Sequence, residues 1–459
     1  MNTKQKFPSA FVNKINSLLG KESDDFFNSL SLPPYVSVRI NPFKPIQEFS
    51  DCENVGWCES SKYLPERISF TNDPLFHAGN YYVQEPSSMF LSEIFKQMFD
   101  KKQPLKILDL CASPGGKSTL ILSEIPPQSF LLSNETIYKR IPPLKENIMK
   151  WGVPDVFISN NDSADFSALK NYFDVIVVDA PCSGEGLFRK DENAISEWSE
   201  NLVKFCSARQ KKILAAIIDS LKENGILIYS TCTFSFEENE ENVKFIADTC
   251  NFETQRINLK PEWNITETEI FSKNKKFSGY RFYPHKTKGE GFFVSCLKKI
   301  NSVPNTTENR NLKTEIRNKL SKKEIEIISP WLKKTDDFIF FHWKNEVYAI
   351  LKSCYSDFLF LSEKLNLKSA GICIGKILNN ELIPSHDLAM STIISEKIQS
   401  VELNYETAIV FLKKQEMRIN TDLKGWTLVK FQNNNLGWVK ILDRRINNYF
   451  PKNSRILKT

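Results

Sequence analysis

With 459 residues, 41% of them hydrophobic, the chain is long enough for two or three domains with ordinary packed cores, and its formal charge of +6 is mild for that size. No run of about 18 apolar residues offers a membrane span, and the opening M-N-T-K-Q-K-F-P-S-A-F has no apolar signal stretch, so a cytoplasmic protein without a membrane partner is expected. Ten cysteines without a C-x-x-C pair, in a chain too large to need disulfide staples, are expected as reduced thiols; a special cysteine should be a chemical one, and no ligand cluster calls for a metal.

Residues 1–75 are expected to form an α+β accessory domain. A helix at F-V-N-K-I-N-S-L-L-G is closed by Gly20, and a strand follows at Y-V-S-V-R-I-N-P. Alternation of Val36, Val38 and Ile40 with Ser37, Arg39 and Asn41 predicts a half-exposed strand whose polar face either meets solvent or lends Arg39 and Asn41 to phosphate. A second small strand is expected near Arg67 to Phe70. Then H-A-G-N-Y-Y-V-Q-E-P-S-S-M-F carries Gly79, Tyr82, Gln84, Glu85 and Ser88 ahead of a helix capped by Pro86, Ser87 and Ser88. His77 has no metal partner in view and reads as structural.

Residues 76–300 are expected to be an α/β domain with a doubly wound parallel sheet. At 104–118, P-L-K-I-L-D-L-C-A-S-P-G-G-K-S is an apolar strand, a glycine-bearing turn and a helix start, the geometry of a nucleotide-type cofactor site or of a plain strand-to-helix connection. Further strands are expected near Phe130–Leu132, Val156–Ile158, Val175–Val178 and Ile226–Tyr229, with helices notably over Ile137–Trp151 and Asn201–Asn224. Acids sit at or near the ends of four successive strands, Asp109, Glu135, Asp162 and Asp179, along the edge where such sheets bind ligands; Glu135 is placed for ribose hydroxyls. Residues 301–315 read as a linker, and 316–459 as a separate, strand-rich domain. Residues 271–299 hold eight Lys/Arg against Glu290 alone, and 410–459 hold eleven against three acids. With Tyr280, Phe282, Tyr283, Trp426 and Trp438 interleaved, these stretches suit a polyanion with stackable bases; a solvated lysine face has the same composition.

Two cysteine motifs follow the fourth and fifth strands, D-A-P-C-S-G-E-G at 179–186 and S-T-C-T-F-S at 230–235. Neighbouring strand ends bring Cys182 and Cys232 close enough to share one substrate, where inert buried cysteines would need two coincident placements.

These blocks, with C-A-S-P-G-G-K and R-F-Y-P-H-K-T-K-G-E-G-F-F-V, resemble the Sun/RsmF family of AdoMet-dependent RNA cytosine-C5 methyltransferases over most of the chain. The resemblance implies a Rossmann-like class I methyltransferase domain between an N-terminal accessory RNA-binding domain and a PUA-like RNA-binding C-terminal region. It implies that Cys111, Ala112, Ser113, Pro114, Gly115, Gly116 and Lys117 hold the methionine part of S-adenosyl-L-methionine (AdoMet). By the same matching Glu135 takes the ribose, Asp162 the adenine side, and Asp179 lies by the methionine amino group and the target base. It also implies that Cys232 attacks C6 of cytosine and Cys182 assists release, while Asp179 donates toward N3. A free thiol is only a few per cent ionised at neutral pH, so Arg189 or Lys190 is a candidate for positive charge near the cysteines, with RNA phosphate or the surface as the alternative. Arg281, His285 and Lys288 are expected to border the substrate groove, with His285 a candidate second base; whether Lys117 touches ligand or a carboxylate is left open. Small-subunit ribosomal RNA, free or within a small ribosomal subunit or its precursor, is the expected partner, transfer RNA or a non-catalytic assembly role the alternatives. Oligomeric state is not legible.

Overall fold

The computed structural model describes residues 3–300 and 318–457; the expected linker at 301–315 lies outside the described residues. Its centre is a ten-stranded sheet running Thr266–Ser272, Lys275–Phe282, Phe292–Lys299, Leu221–Thr231, Phe173–Asp179, Lys106–Asp109, Phe130–Asn134, Val156–Ser159 and Leu367–Ala370, with Phe252–Thr254 paired beside Phe292–Lys299. The five expected strands are its parallel middle. Ile107, Leu108, Val175, Ile176, Val177 and Val178 are fully buried there, as a sheet covered by helices on both faces requires. The helix expected to reach Asn224 stops at Ile217. Asn224, at φ 61, and Gly225 belong to the following strand, whose Leu221 is already buried and paired with Phe173.

The N-terminal part contributes the expected helix, Ser9–Leu19, ended by Gly20 at φ 55, and a second helix, Ser23–Ser29. Their Phe7, Phe11, Phe26 and Phe27 pack with Phe188, Trp198 and Phe234, which places this pair of helices on the segments that follow both cysteine motifs. A four-stranded sheet comes next, in the order Asn54–Val55, Cys58–Leu64, Val36–Ile40, Tyr81–Val83. The expectation of a half-exposed strand at 36–40 is overturned: Ser37, Arg39 and Asn41 are as buried as Val38. The polar face is covered by the helix after the glycine turn, Gly116–Glu124, whose Thr119 Oγ1 and Gly116 carbonyl accept from Arg39 at 2.6 and 3.2 Å. Arg39 also lies 4.5 Å from the Trp151 ring, so it fastens two domains rather than meeting phosphate. No strand forms at 67–70; the strand is Cys58–Leu64, ended before Pro65, and Phe70 starts a single 3-10 turn buried beside Leu75 and Tyr81. The Pro-Ser-Ser cluster does not cap the helix Phe90–Met98 through its hydroxyls; Glu85 accepts from the backbone N–H of Ser87 and Ser88, at 2.9 and 2.8 Å, in the turn that leads into it.

The C-terminal region is strand-rich, with one sheet of Phe338–Trp343, Glu346–Leu351, Ile372–Leu378 and Glu381–Pro384 and another of Ser400–Glu402, Gly425–Phe431, Asn434–Ile441 and Ile446–Asn448. It is not separate. Leu367–Ala370 pairs antiparallel with Val156–Ser159 and so completes the catalytic sheet, and Phe341, Phe358 and Leu361 share one core with Phe157 and Tyr172. The interleaved aromatics are not free to stack bases: Tyr280, Phe282, Tyr283 and Trp438 are buried in the cores, Trp438 donating from Nε1 to the Ser385 carbonyl. Trp426 alone of the five stays partly open, with Lys440 Nζ 5.4 Å from its ring. Among the described residues no helix is long and apolar enough to cross a membrane, and no group of three or more His, Cys, Asp or Glu side chains could hold a metal ion.

Candidate active site

The strand Lys106–Asp109 ends by burying Asp109 completely, where its Oδ2 accepts from Ser118 at 2.6 Å and its Oδ1 has no hydrogen-bond partner. Burial raises this carboxyl to about 7. The chain then turns through Gly115, whose φ of 114° suits only glycine, and enters the helix Gly116–Glu124. A Cβ on Gly116 would come within 3.2 Å of the Tyr82 ring, so the tyrosine from the segment ahead of the turn closes over its backbone.

A cavity of about 440 Å³ opens in front of this turn. Cys111, Ala112, Ser113, Pro114, Gly116, Lys117, Asp179 and Cys232 all line it, together with Tyr82, Glu85 and Phe292. Lys117 meets the carboxylate: its Nζ is 2.8 Å from Asp179 Oδ2, and Ser230 Oγ donates to the other oxygen at 2.8 Å. Burial alone would lower the Lys117 ammonium, but Asp179, with Asp109 behind it, holds its pKa above the ordinary value. Gly115 turns away, toward Leu144 and Asn147.

The two cysteine loops leave adjacent parallel strands in which Asp179 is opposite Ser230, so Cys182 and Cys232, 50 positions apart, meet with Sγ atoms 3.1 Å from each other. The Cys182 thiol is pushed well up, first by its hydrogen bond to Cys232 and then by burial. Two buried carboxylates strap the loops together reciprocally. Glu185, on the Cys182 loop, accepts from Phe234 N at 2.9 Å and Ser235 Oγ at 2.6 Å. Glu238, beyond the Cys232 loop, accepts from Ser183 N at 3.0 Å and Ser183 Oγ at 2.5 Å, and from Gln210 Nε2, which also reaches the Pro181 carbonyl. Burial raises Glu238 to about 7 against these donors. Between the straps Gly186 N donates to the Cys232 carbonyl at 2.8 Å, and a Cβ there would lie 2.7 Å from that oxygen, so only glycine allows the approach. Neither Glu185 nor Glu238 stood out in the sequence; E-G and E-N after cysteine blocks look like ordinary polar turn residues until the loops are brought together.

Other expected residues lie elsewhere. Glu135 and Asp162 do not line the cavity. Glu135 is 3% exposed, with Oε1 accepting from Ile137 N and Oε2 in an ion pair at 3.4 Å with Arg140 but taking no hydrogen bond; Arg140 is in turn bonded to Ser113 of the glycine turn. Asp162 is exposed and caps the turn Ser163–Ala168 by accepting from Ala164 N. Arg189 and Lys190 do not serve the thiols: Arg189 Nε is 2.9 Å and Lys190 Nζ 3.4 Å from the buried Glu290 carboxylate. Arg281 is no groove residue either. It is buried as a two-pronged pair with Glu240 and donates to the Phe234 carbonyl, propping the Cys232 loop from behind. His285 faces Glu22 at 3.3 Å and packs against Phe26, away from both cysteines, and Lys288 pairs with Glu53 at the surface.

Comparison with known proteins agrees with this layout. A family model described as 16S rRNA methyltransferase RsmB/F matches residues 96–298, one described as the N-terminal domain of 16S rRNA methyltransferase RsmF matches 7–86, and one described as the methyltransferase RsmF PUA domain matches 398–456. Ribosomal RNA small subunit methyltransferase F of Vibrio vulnificus (strain YJ016) is 27% identical, with 98% of each chain covered. The protein of the same name from Shewanella piezotolerans is 28% identical, with 97% of each covered. The crystal structure of NSun6 from Pyrococcus horikoshii with SFG has the same fold at a TM-score of 0.54 and 21% identity, over 65% of this chain and 100% of that one. Three family segments in the same order and relatives matched end to end lead to one conclusion: the chain belongs to the RsmB/F family of methyltransferases.

Proposed function

We propose that the protein methylates C5 of a cytosine in small-subunit ribosomal RNA, using AdoMet and a covalent adduct at C6. The observation that carries this reading is the 3.1 Å approach of Cys182 to Cys232, the cysteine that lines a cavity shared with the glycine turn and the Asp179–Lys117 pair. Unmet hydrogen-bonding capacity suits the cofactor: the buried Glu135 Oε2 and Asp109 Oδ1 take no hydrogen bond from the protein. Cys111 to Lys117 would hold the methionine portion and Glu135 the ribose, with Asp162 further along the same sheet edge toward the adenine. When bound, AdoMet supplies a methyl group on a positively charged sulfur.

The chain's own residues do the rest. C5 of cytosine is a weak nucleophile until a thiolate adds to C6, and Cys232, which lines the cavity while Cys182 does not, is the sulfur placed for that. As the ring gains electrons N3 needs a proton, and Asp179 with its partner Lys117 carries one in the cavity. Once C5 carries the methyl group its proton must leave before the C6–S bond can break. By then Cys232 is a thioether, and Cys182 beside it gives its own proton to water and, as the thiolate, takes the C5 proton directly or through water, while the C6–S electron pair leaves with Cys232. The PUA segment at 398–456 and the N-terminal domain grip RNA outside the cavity, and a ribosomal substrate implies a cytoplasmic location. Bisulfite mapping of ribosomal and transfer RNA from cells with and without the gene tests the assignment. One small-subunit cytosine losing its methyl group is expected; a lost site in transfer RNA would move the substrate, and no lost site would reject the activity.

A further inference from the structure

A second cavity, of about 790 Å³, lies beside the catalytic one, and Val83, Gln84 and Glu85 line both. Its remaining walls come from opposite sides of the molecule: Tyr35 and Arg67 from the N-terminal domain, Arg189 and Lys190 from the end of the Cys182 loop. Tyr35 is 42% exposed, so its ring is open to the cleft it lines. It is rigidly mounted, because Pro33 and Pro34 fix the backbone ahead of it, the Tyr63 ring abuts it at 6.1 Å and the Arg189 guanidinium lies 5.6 Å from its centroid. Of the two acids in its lining, Glu85 already accepts from the N–H groups of Ser87, Ser88 and Glu290 and Glu66 is exposed to solvent, as are Arg67 and Lys190.

We infer that this cleft holds the nucleotide adjoining the target cytosine, with its base on the Tyr35 ring and its phosphate between Arg67 and Lys190. The inference rests on the cysteine cavity being a cytosine site. A base that enters such a cavity is drawn out of its stack, its neighbour must leave by a connected path, and an exposed aromatic flanked by cations is what an unstacked base seeks. Lys190 is 3.4 Å from Glu290, but that carboxylate is already neutralised by Arg189, so a phosphate can take the lysine without stranding a charge.

The test measures methyl transfer from labelled AdoMet to small-subunit ribosomal RNA, both protein-free and within isolated small subunits, and, in parallel, to transfer RNA, using the full-length wild type, Tyr35→Ala, Tyr35→Phe and Lys190→Ala. Tyr35→Ala should raise the KM for RNA about tenfold and Tyr35→Phe by less than about twofold, because stacking needs the ring and not the hydroxyl. Lys190→Ala should lower the salt slope of RNA affinity by about one, as one phosphate contact is lost. AdoMet affinity, read by calorimetry, should not move in any variant. An RNA KM unchanged in Tyr35→Ala, or raised equally in Tyr35→Phe, would overturn the cleft assignment while the wild type's activity left the methyltransferase reading standing. A wild type that transfers no methyl group to either RNA would overturn that reading and the cleft with it.

Discussion

Cys182 and Cys232 are equivalent as residues and unequal as placed, since Cys232 lines the cavity while Cys182 lies outside its lining, 3.1 Å from the Cys232 sulfur. Replacing each should therefore stop turnover at a different bond. Cys232→Ala should give neither methylated RNA nor adduct. Cys182→Ala should add to C6 and allow the methyl group on, then hold the RNA because the C5 proton has no acceptor, giving a slow protein–RNA band on a denaturing gel with RNA and AdoMet present. An adduct in Cys232→Ala and none in Cys182→Ala would reverse the roles. Glu135 offers a second test at this scale. Its free oxygen is poised for a hydroxyl, and a hydrogen bond to a charged group is worth roughly 1.5 to 3 kcal/mol, so Glu135→Ala should weaken AdoMet binding at least about tenfold and leave RNA affinity alone. Normal calorimetric binding by this variant would remove Glu135 from the cofactor site.

Loops hold the catalytic distance, and the carboxylate straps hold the loops. Glu238 rests among donors, so Glu238→Gln would turn an amide N–H toward Ser183 or Gln210 and cost roughly 1 to 3 kcal/mol. Its titration gives a signature. The folded protein raises Glu238 from 4.5 to about 7, so between those values the native state binds more protons than the unfolded one and stability falls as pH rises. The stability gap between wild type and Glu238→Gln should accordingly narrow from pH 5 to pH 8 in thermal melts; a gap that stays constant over that range would show the carboxylate ionised throughout. None of this was legible from spacing. The glycine turn, five parallel strands and paired cysteine motifs were, because each is a local pattern: an apolar run, a turn and a helix start, repeated. Alternation at 36–41 misled because period two reports which residues share a face and not what covers it, and Arg39 faces another domain's helix instead of water. Tyr280 and Trp438 misled likewise, since aromatics between cations on a strand look the same whether the ring points outward or into a core.

At the scale of the whole molecule, the strand Leu367–Ala370 ties the C-terminal half to the catalytic sheet across a sequence separation that no local signal encodes. L-K-S-A is too short and too polar to be recognised as a strand by itself. Its partner Val156–Ser159 would otherwise be a buried-type strand with an open edge, the kind that pairs with other chains. Nearby, Phe358 is 6.2 Å from Phe157 and Phe360 is 5.2 Å from Tyr172, while Asp357 accepts from the Tyr172 hydroxyl at 2.6 Å and pairs with Lys106 of the glycine-turn strand. A cut at the expected linker should therefore not release a self-sufficient catalytic domain. Uncovering Phe157 and Tyr172 alone costs roughly 1.5 to 3 kcal/mol per side chain, a large share of the roughly 5 to 15 kcal/mol that holds a domain together. A fragment of residues 1–300 should be largely insoluble and lack a cooperative melt, and should bind AdoMet poorly because Lys106 leads straight into the turn. A fragment of residues 1–397 keeps the Leu367–Ala370 pairing, so it should melt cooperatively and bind AdoMet while losing RNA affinity and part of its salt dependence. Gel filtration, melting and calorimetry on the two fragments decide the matter. If residues 1–300 prove monomeric, cooperative and normal in AdoMet binding, the C-terminal half is only an RNA grip, and its strand in the sheet is dispensable to the catalytic fold.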